Sequence, residues 1–276
     1  MTVKDILTPA LTTVSRIPPL PMWQWRLSAA SPFCRAVVAT GYLSQEQMER
    51  AALRYRLGCS RDGAVIFWQI DELEKIYDGK LMYYRADCHR DKARHPDWVS
   101  SRLKRHYGCQ HLDIPTAHCL FGQHLLRGAA ATTPVAVVEA EKTAVILSEL
   151  FPGYLWMATG GLKELSPEKL FALHRHPVVL FPDTDECHAS FKLWYDISMI
   201  ARRDYGVRCF VSPLLELKAS AEEKARKIDL VDFLDPLRLI PEQSSPTRSL
   251  SLFRGKKTPS GSPCLGGRKP PPAPPV

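Results

Sequence analysis

The sequence predicts an α/β fold: a four-stranded parallel sheet flanked by helices, preceded by a small α+β N-terminal subdomain. Two observations predict it. From Pro134 onward, runs that are apolar without a gap (PVAVVE, GYLWMATGG, PVVLFPD, VRCFVSP) alternate with amphipathic segments, and strands apolar on both faces belong to parallel sheets covered by helices. Before residue 130 the pattern is different: one capped helix, then AVIFWQID and GKLMYYR placed around Asp78-Gly79, which read as hairpin or meander strands.

Taken in order, residues 1–40 show no clear period, and Pro18, Pro19 and Pro21 predict an extended arm. Ser44 followed by Gln47 forms a capping-box pattern, so SQEQMERAALRYRLG reads as a helix ending at Gly58. This helix and the two strands make residues 41–130 the α+β subdomain. In residues 131–240 the four apolar runs are strands, and EKTAVILSELF, SPEKLFALHR, ECHASFKLWYDISMIARRDYG and SAEEKARKIDLVDFL are the helices that follow them. Crossovers between parallel strands should be right-handed. Residues 241–276 hold nine of the 23 prolines, ending in KPPPAPPV. So poor in apolar side chains, they cannot offset their ordering entropy and read as a disordered, proline-rich basic tail.

Composition excludes several classes. At 276 residues and 45% hydrophobic, the chain can bury a real core. No apolar run reaches the roughly 18 residues of a membrane span, and the first residues lack the pattern of a secretory signal, so a cytoplasmic protein without a membrane partner is expected. The eight cysteines form no CxxC pair. Cys109, His111, His118 and Cys119 cluster, but CxH and HC spacings match no common zinc module, and no zinc site is predicted.

Of the net charge of +8, the last 36 residues supply six Lys or Arg against one Glu. In the body, RADCHRDKARHPDWVSSRLKRHY (85–107) carries seven Lys or Arg against three Asp, with Trp98 and Tyr107 interleaved. Cations for phosphates and rings for bases make Arg85, Arg90, Lys92, Arg94, Arg102, Lys104 and Arg105 candidate nucleic-acid contacts. A solvated, charged connector is the equal alternative. Trp68, in IFWQID, reads as core.

Ligands in open parallel sheets gather at the carboxyl ends of the strands. Glu139 follows the first strand, Gly160-Gly161 the second, and Asp183 and Asp185 the third. These groups should converge on one rim. Three carboxylates that close would repel one another unless a cation joined them. The competing reading is that Asp183 or Asp185 caps the helix starting near Glu186. Lys142, at a helix start, and the two glycines are candidate phosphate contacts.

The ordered set VVEAEKTA, TGG, LFPDTDE and KIDLVDFL resembles the toprim domain, the fold shared by bacterial-type primases, topoisomerases and related nucleases. Glu139 falls on its glutamate, Asp183 and Asp185 on its Asp-x-Asp, and Lys227, Asp229 and Asp232 on its closing stretch. AVIFWQIDELEKIYDGKLMYY and HCLFGQHLL resemble the region that precedes toprim in primase-like proteins of bacterial plasmids and mobile elements. Two departures are local: Ala140 and the pair Cys187-His188 stand where toprim sequences usually carry glycine.

The resemblance implies a Mg²⁺-dependent, primase-like nucleotidyl or phosphodiester transferase of DNA replication or mobilisation, with Mn²⁺ as a substitute metal. Glu139, Asp183 and Asp185 would be its catalytic and metal-holding residues, with Asp183 and Asp185 supplying oxygens to the ion. Single-stranded DNA or RNA and nucleotides are the implied partners, with a replicative helicase as a further one. Two alternatives stand beside it: a catalytically silent nucleic-acid-binding replication protein and a toprim nuclease.

Overall fold

The computed structural model describes residues 31–107 and 118–234. The first 30 residues and the proline-rich tail lie outside the described residues, as do Cys109 and His111. Residues 32–39, inside the segment expected to be an extended arm, form helix α1 (Pro32–Ala39) instead. Pro32 takes the first helical position, and the Ser31 hydroxyl accepts the Cys34 N–H at 3.1 Å. Its two turns are too short to display a period, yet Phe33, Cys34, Ala36 and Val37 are all buried.

Helix α2 (Gln45–Arg54) starts in the expected capping box, with both Ser44–Gln47 bonds formed. It stops before Gly58, because Arg56 already takes a left-handed φ of 52°. An antiparallel sheet follows in the order β1 (Gly58–Cys59), β2 (Val65–Ile70), β3 (Ile76–Met82), β4 (Asp97–Trp98), with α3 (Val99–Tyr107) after it. Trp68 is buried, and its ring lies where a side chain at Gly79 would be, 2.7 Å from an added Cβ. The core reading of Trp68 holds.

The second sheet is parallel, in the order β6-β5-β7-β8, built from β5 (Val135–Val138), β6 (Leu155–Ala158), β7 (Val178–Phe181) and β8 (Cys209–Val211). Helices α4 (Glu141–Leu150), α5 (Pro167–Phe171) and α6 (Ala189–Tyr205) form the crossovers. Val135, Val137, Met157, Leu180 and Trp194 form one buried cluster. Gly206 closes α6 at φ +65°.

The last expected helix is broken. After α7 (Leu214–Lys218), a Ser220–Glu223 capping box starts α8 (Ala221–Arg226). Lys227 then turns left-handed at φ 56°, and α9 (Leu230–Leu234) packs on α4. That break turns Asp229 inward, where it is 7% exposed, whereas a continuous amphipathic helix would leave it on the surface.

Each sheet has its own buried cluster, and a set of contacts joins the two. Tyr55 stacks on Phe121 at 5.0 Å and donates its hydroxyl to the Trp156 carbonyl at 2.8 Å. Phe121 and Ala158 exchange backbone hydrogen bonds of 2.9 and 3.1 Å, which cover the outer edge of β6. Arg50 and Arg54 both reach Glu149 of α4 at 2.8 Å. No helix among the described residues is long and apolar enough to cross a membrane.

Candidate active site

Parallel register aligns Val138, the last residue of β5, with Phe181, the last of β7. Glu139 then falls opposite Pro182, one residue before Asp183, so both carboxylates lie at the carboxyl rim, where Glu139 acts on the charge of Asp183. Glu139 accepts the Leu162 N–H, yet burial, helped by Asp229 and Glu141, raises its carboxyl above the ordinary range against the opposing charge of Lys80. Asp183 is perturbed more strongly. Burial first, then Asp229, Glu139 and Asp232, push its carboxyl well above normal, with Lys142 opposing. No hydrogen bond or ion pair reaches its carboxylate among the described residues.

Asp185 behaves in the opposite way. Its Oδ1 accepts the N–H groups of Cys187 (2.9 Å) and Ala189 (3.0 Å), and its Oδ2 that of Ser190 (2.7 Å). Burial would raise this carboxyl, but those donors prevail and hold it at about 2. Asp185 is thus the cap of α6, the role that competes with metal binding in the sequence reading. His188, the last residue before α6, has a left-handed backbone (φ 57°) and no side-chain capping bond, which leaves the first-turn N–H groups to Asp185.

Lys142 is engaged within the protein as well. Its side chain is 11% exposed, with Nζ 3.5 Å from Asp229 Oδ2 and 3.7 Å from Asp232 Oδ1. Asp229 also accepts the Thr143 hydroxyl (2.6 Å) and the Asp232 N–H (2.8 Å). Burial pushes the Asp229 carboxyl up, but Lys142 and these donors bring it below normal. Lys142 is a buried cation paired with Asp229 and Asp232 in this structure. The glycines are engaged too: the Gly160 N–H is donated to Glu139 O (2.9 Å) and the Gly161 N–H to Thr159 Oγ1 (3.4 Å). Gly160 is needed for its φ of +86° and because an added Cβ would sit 3.0 Å from Glu141 Oε1.

Two residues of the rim escaped the sequence reading. Lys80 of β3 extends from the antiparallel sheet to Glu141 Oε1 (3.0 Å) and to the Gly160 carbonyl (2.6 Å). The Lys80–Glu141 pair is nearly buried, at 13% and 3% side-chain exposure. No motif marks such a pair, which is 61 residues apart in sequence.

Among the described residues the rim therefore gathers Glu139, Glu141, Asp183, Asp229 and Asp232 around Lys80 and Lys142. No three His, Cys, Asp or Glu side chains among the described residues form a ready-made metal cage. A Mg²⁺ site does not require one, since one or two carboxylates with water and substrate phosphates suffice. Glu139 and Asp183 offer that hard-oxygen pair, and no hydrogen bond or ion pair reaches the Asp183 carboxylate among the described residues. The donor set fits such an ion.

The basic segment differs from its expected role. Arg85 pairs with Asp87 (2.7 Å), Arg94 with Asp62 (3.2 Å), and Arg102 with Asp62 (2.9 Å) and Asp97 (3.0 Å); Arg105 also pairs with Asp97. Arg94 lies over the Tyr83 ring, 3.4 Å from its centroid. Arg102 and Arg105 tie β4, α3 and the Asp62 loop together, Arg94 joins the same Asp62, and Arg85 pairs within its own loop. Arg90 and Lys92 are exposed, Lys104 is partly so, and none has an ion pair among the described residues. Trp98 packs on His118 at 4.4 Å.

Residues 33–184, more than half of the chain, match the family described as Domain of unknown function (DUF6371). The chain belongs to the DUF6371 family. The match ends at Thr184, so Glu139, Lys142 and Asp183 lie within the DUF6371 region and α6 to α9 follow it. No curated protein matches this DUF6371 chain. Among solved structures it is similar to the catalytic domain of DnaG primase bound to single-stranded DNA, at 14% identity and TM-score 0.45, covering 80% of this chain and 82% of that one. It is also similar to the primase fragment of the bacteriophage T7 primase-helicase, at 15% identity and TM-score 0.41, covering 65% and 70%. For the RNA polymerase domain of Mycobacterium tuberculosis primase DnaG the values are 15%, 0.38, 70% and 66%.

Proposed function

We propose that this DUF6371 protein is a toprim-type, primase-like enzyme that transfers nucleotidyl or phosphodiester groups on nucleic acid with Mg²⁺, or Mn²⁺ in its place. The observation that carries the reading is Asp183. It is a half-buried carboxylate at a strand end, facing Glu139, Asp229 and Asp232, with its carboxyl raised and no donor of its own. Folding pressure alone would not favour such a group. A divalent ion held by Asp183 and Glu139 would offset the repulsion and, when bound, stabilise charge on a phosphoryl oxygen. The toprim-like order of motifs supports nucleic acid as substrate, with replication or mobilisation of a mobile element as the setting and a replicative helicase as a partner.

The chain's own groups then have separate tasks. Asp183 and Glu139 present oxygens, and Glu139, with its raised carboxyl, can hold or release a proton near neutral pH more readily than an ordinary glutamate. Lys142, Asp229 and Asp232 set the local field. Asp185 fixes the start of α6 and with it the loop that carries Asp183.

The test is to incubate the full chain with single-stranded DNA, NTPs and Mg²⁺ and to ask whether strands lengthen or shorten. Lengthening supports the primase-like reading and shortening the nuclease one. In either case Asp183→Asn should abolish the product while Asp185→Asn, which can still cap α6, retains part of it. Product unchanged in Asp183→Asn would remove the proposal, and no product from the parent chain would leave a silent binding protein.

A further inference from the structure

The arginines of residues 85–107 are largely neutralised, but a basic surface elsewhere is not. It lies at the amino ends of β7 and β8, the rim opposite the carboxylates. Residues 202–210 read RRDYGVRCF, three arginines to one aspartate. Arg203 is held by Asp204 at 2.6 Å. Arg202 and Arg208 are exposed and have no acidic partner among the described residues. Arg208 donates to the carbonyl of Arg175 at 2.8 Å, which fixes the backbone of that exposed arginine beside it.

Between these residues is an open groove of 380 Å³ lined by Arg202, Gly206, Val207, Arg208, Cys209 and Phe210. Phe210 is 52% exposed although it sits mid-strand. The alternation of β8 explains this, because Cys209 and Val211 face the core and Phe210 must face away. Among the described residues β8 is also the outermost strand of its sheet, and no neighbouring strand covers that ring.

We propose that this groove binds single-stranded nucleic acid, with Arg202 and Arg208 on phosphates and a base stacked on Phe210. Unpaired guanidinium groups flanking an exposed ring match a strand whose phosphates are anionic and whose bases are open. A duplex would offer the phosphates but hide the faces that stack. The inference rests on the reading above for nucleic acid as partner, and it adds where a strand is held. The groove is about 13 Å from the carboxylate rim along the four-residue strands, so the two sites can be altered separately.

The test is fluorescence anisotropy of the full chain with a labelled single strand of about 12 nucleotides, titrated at several salt concentrations. Arg202→Gln with Arg208→Gln should weaken binding and reduce the slope of log affinity against log salt by about 1.4, near 0.7 for each lost phosphate contact. Phe210→Ala should weaken binding about tenfold with the slope unchanged, and Phe210→Tyr should restore it. Strand binding should persist with EDTA in place of Mg²⁺, which separates this proposal from the fate of the carboxylates. Arg202, Arg208 and Phe210 are exposed, and circular dichroism should show the fold intact in each variant.

Parental affinity and slope in both the arginine and the Phe210→Ala variants would overturn the proposal. So would Phe210→Ala converting a dimer into a monomer in sedimentation with strand affinity unchanged, since the β8 edge would then join two copies of the chain.

Discussion

Lys142→Met probes the buried charges beneath the rim. The side chains of Lys142 and Asp229 are 11% and 9% exposed, so water screens the pair weakly. Breaking a buried pair from one side costs about 3–5 kcal/mol, because the remaining charge has nothing to oppose it. Two features reduce that cost. The contacts of 3.5 and 3.7 Å are looser than a charge-assisted hydrogen bond, and Asp229 keeps the Thr143 hydroxyl and the Asp232 N–H. A loss of about 2–3 kcal/mol follows, or a fall in Tm of roughly 4–12 °C for a body of this size.

Urea denaturation at neutral pH, followed by tryptophan fluorescence, measures the loss. Adding Asp229→Asn should return more than half of it, because the orphaned charge is then gone. The pH dependence has a definite sign. The folded Asp229 carboxyl is below its ordinary value, so its stabilisation is complete above about pH 4 and fades as the pH falls through the depressed range. The deficit of Lys142→Met should therefore narrow in acid. A loss under about 1 kcal/mol, typical of a surface pair, or a further loss on adding Asp229→Asn, would refute the reasoning.

Three further outcomes are expected. Asp183→Asn should stabilise the protein at neutral pH: a raised carboxyl binds its proton more tightly folded than unfolded, so the parent loses stability as the pH rises through that window, and asparagine removes the penalty. The gain should vanish below about pH 4, where both forms are protonated, and a lowered urea midpoint at neutral pH would contradict it. Asp185→Ala should cost about 2 kcal/mol in the same assay, the upper end for a lost cap, since three N–H groups of the α6 start lose their acceptor. Gly160→Ala should cost about 1–2 kcal/mol through its left-handed backbone alone, and a Tm equal to the parent's would show that the turn relaxes.

The parallel sheet was legible because gapless apolar runs report two covered faces without reference to anything distant. PVAVVE and PVVLFPD give up their strands on reading, and strand ends give up Glu139 and Asp183 with them. The DTDE motif was ambiguous for a physical reason. Asp183 and Asp185 are the same residue type two positions apart, yet one has no donor and the other has three. What separates them is the path of the following loop into α6, set by the left-handed His188, and that path is not encoded in the spacing.

Charge was the least legible property. The arginines at 94 and 102 read as free cations because their shared partner, Asp62, is 32 and 40 residues earlier, across the antiparallel sheet. Lys80 reached the rim from that same sheet, unannounced. A local count of charges records which ions are present, whereas binding depends on which remain after long-range pairing. Pairing leaves Asp183 without a cation at one rim of the parallel sheet and Arg202 and Arg208 without anions at the other. Under the two proposals above, a magnesium ion and a nucleic-acid backbone would be the oppositely charged counterparts of those two rims, so one chemistry would account for both residues of charge.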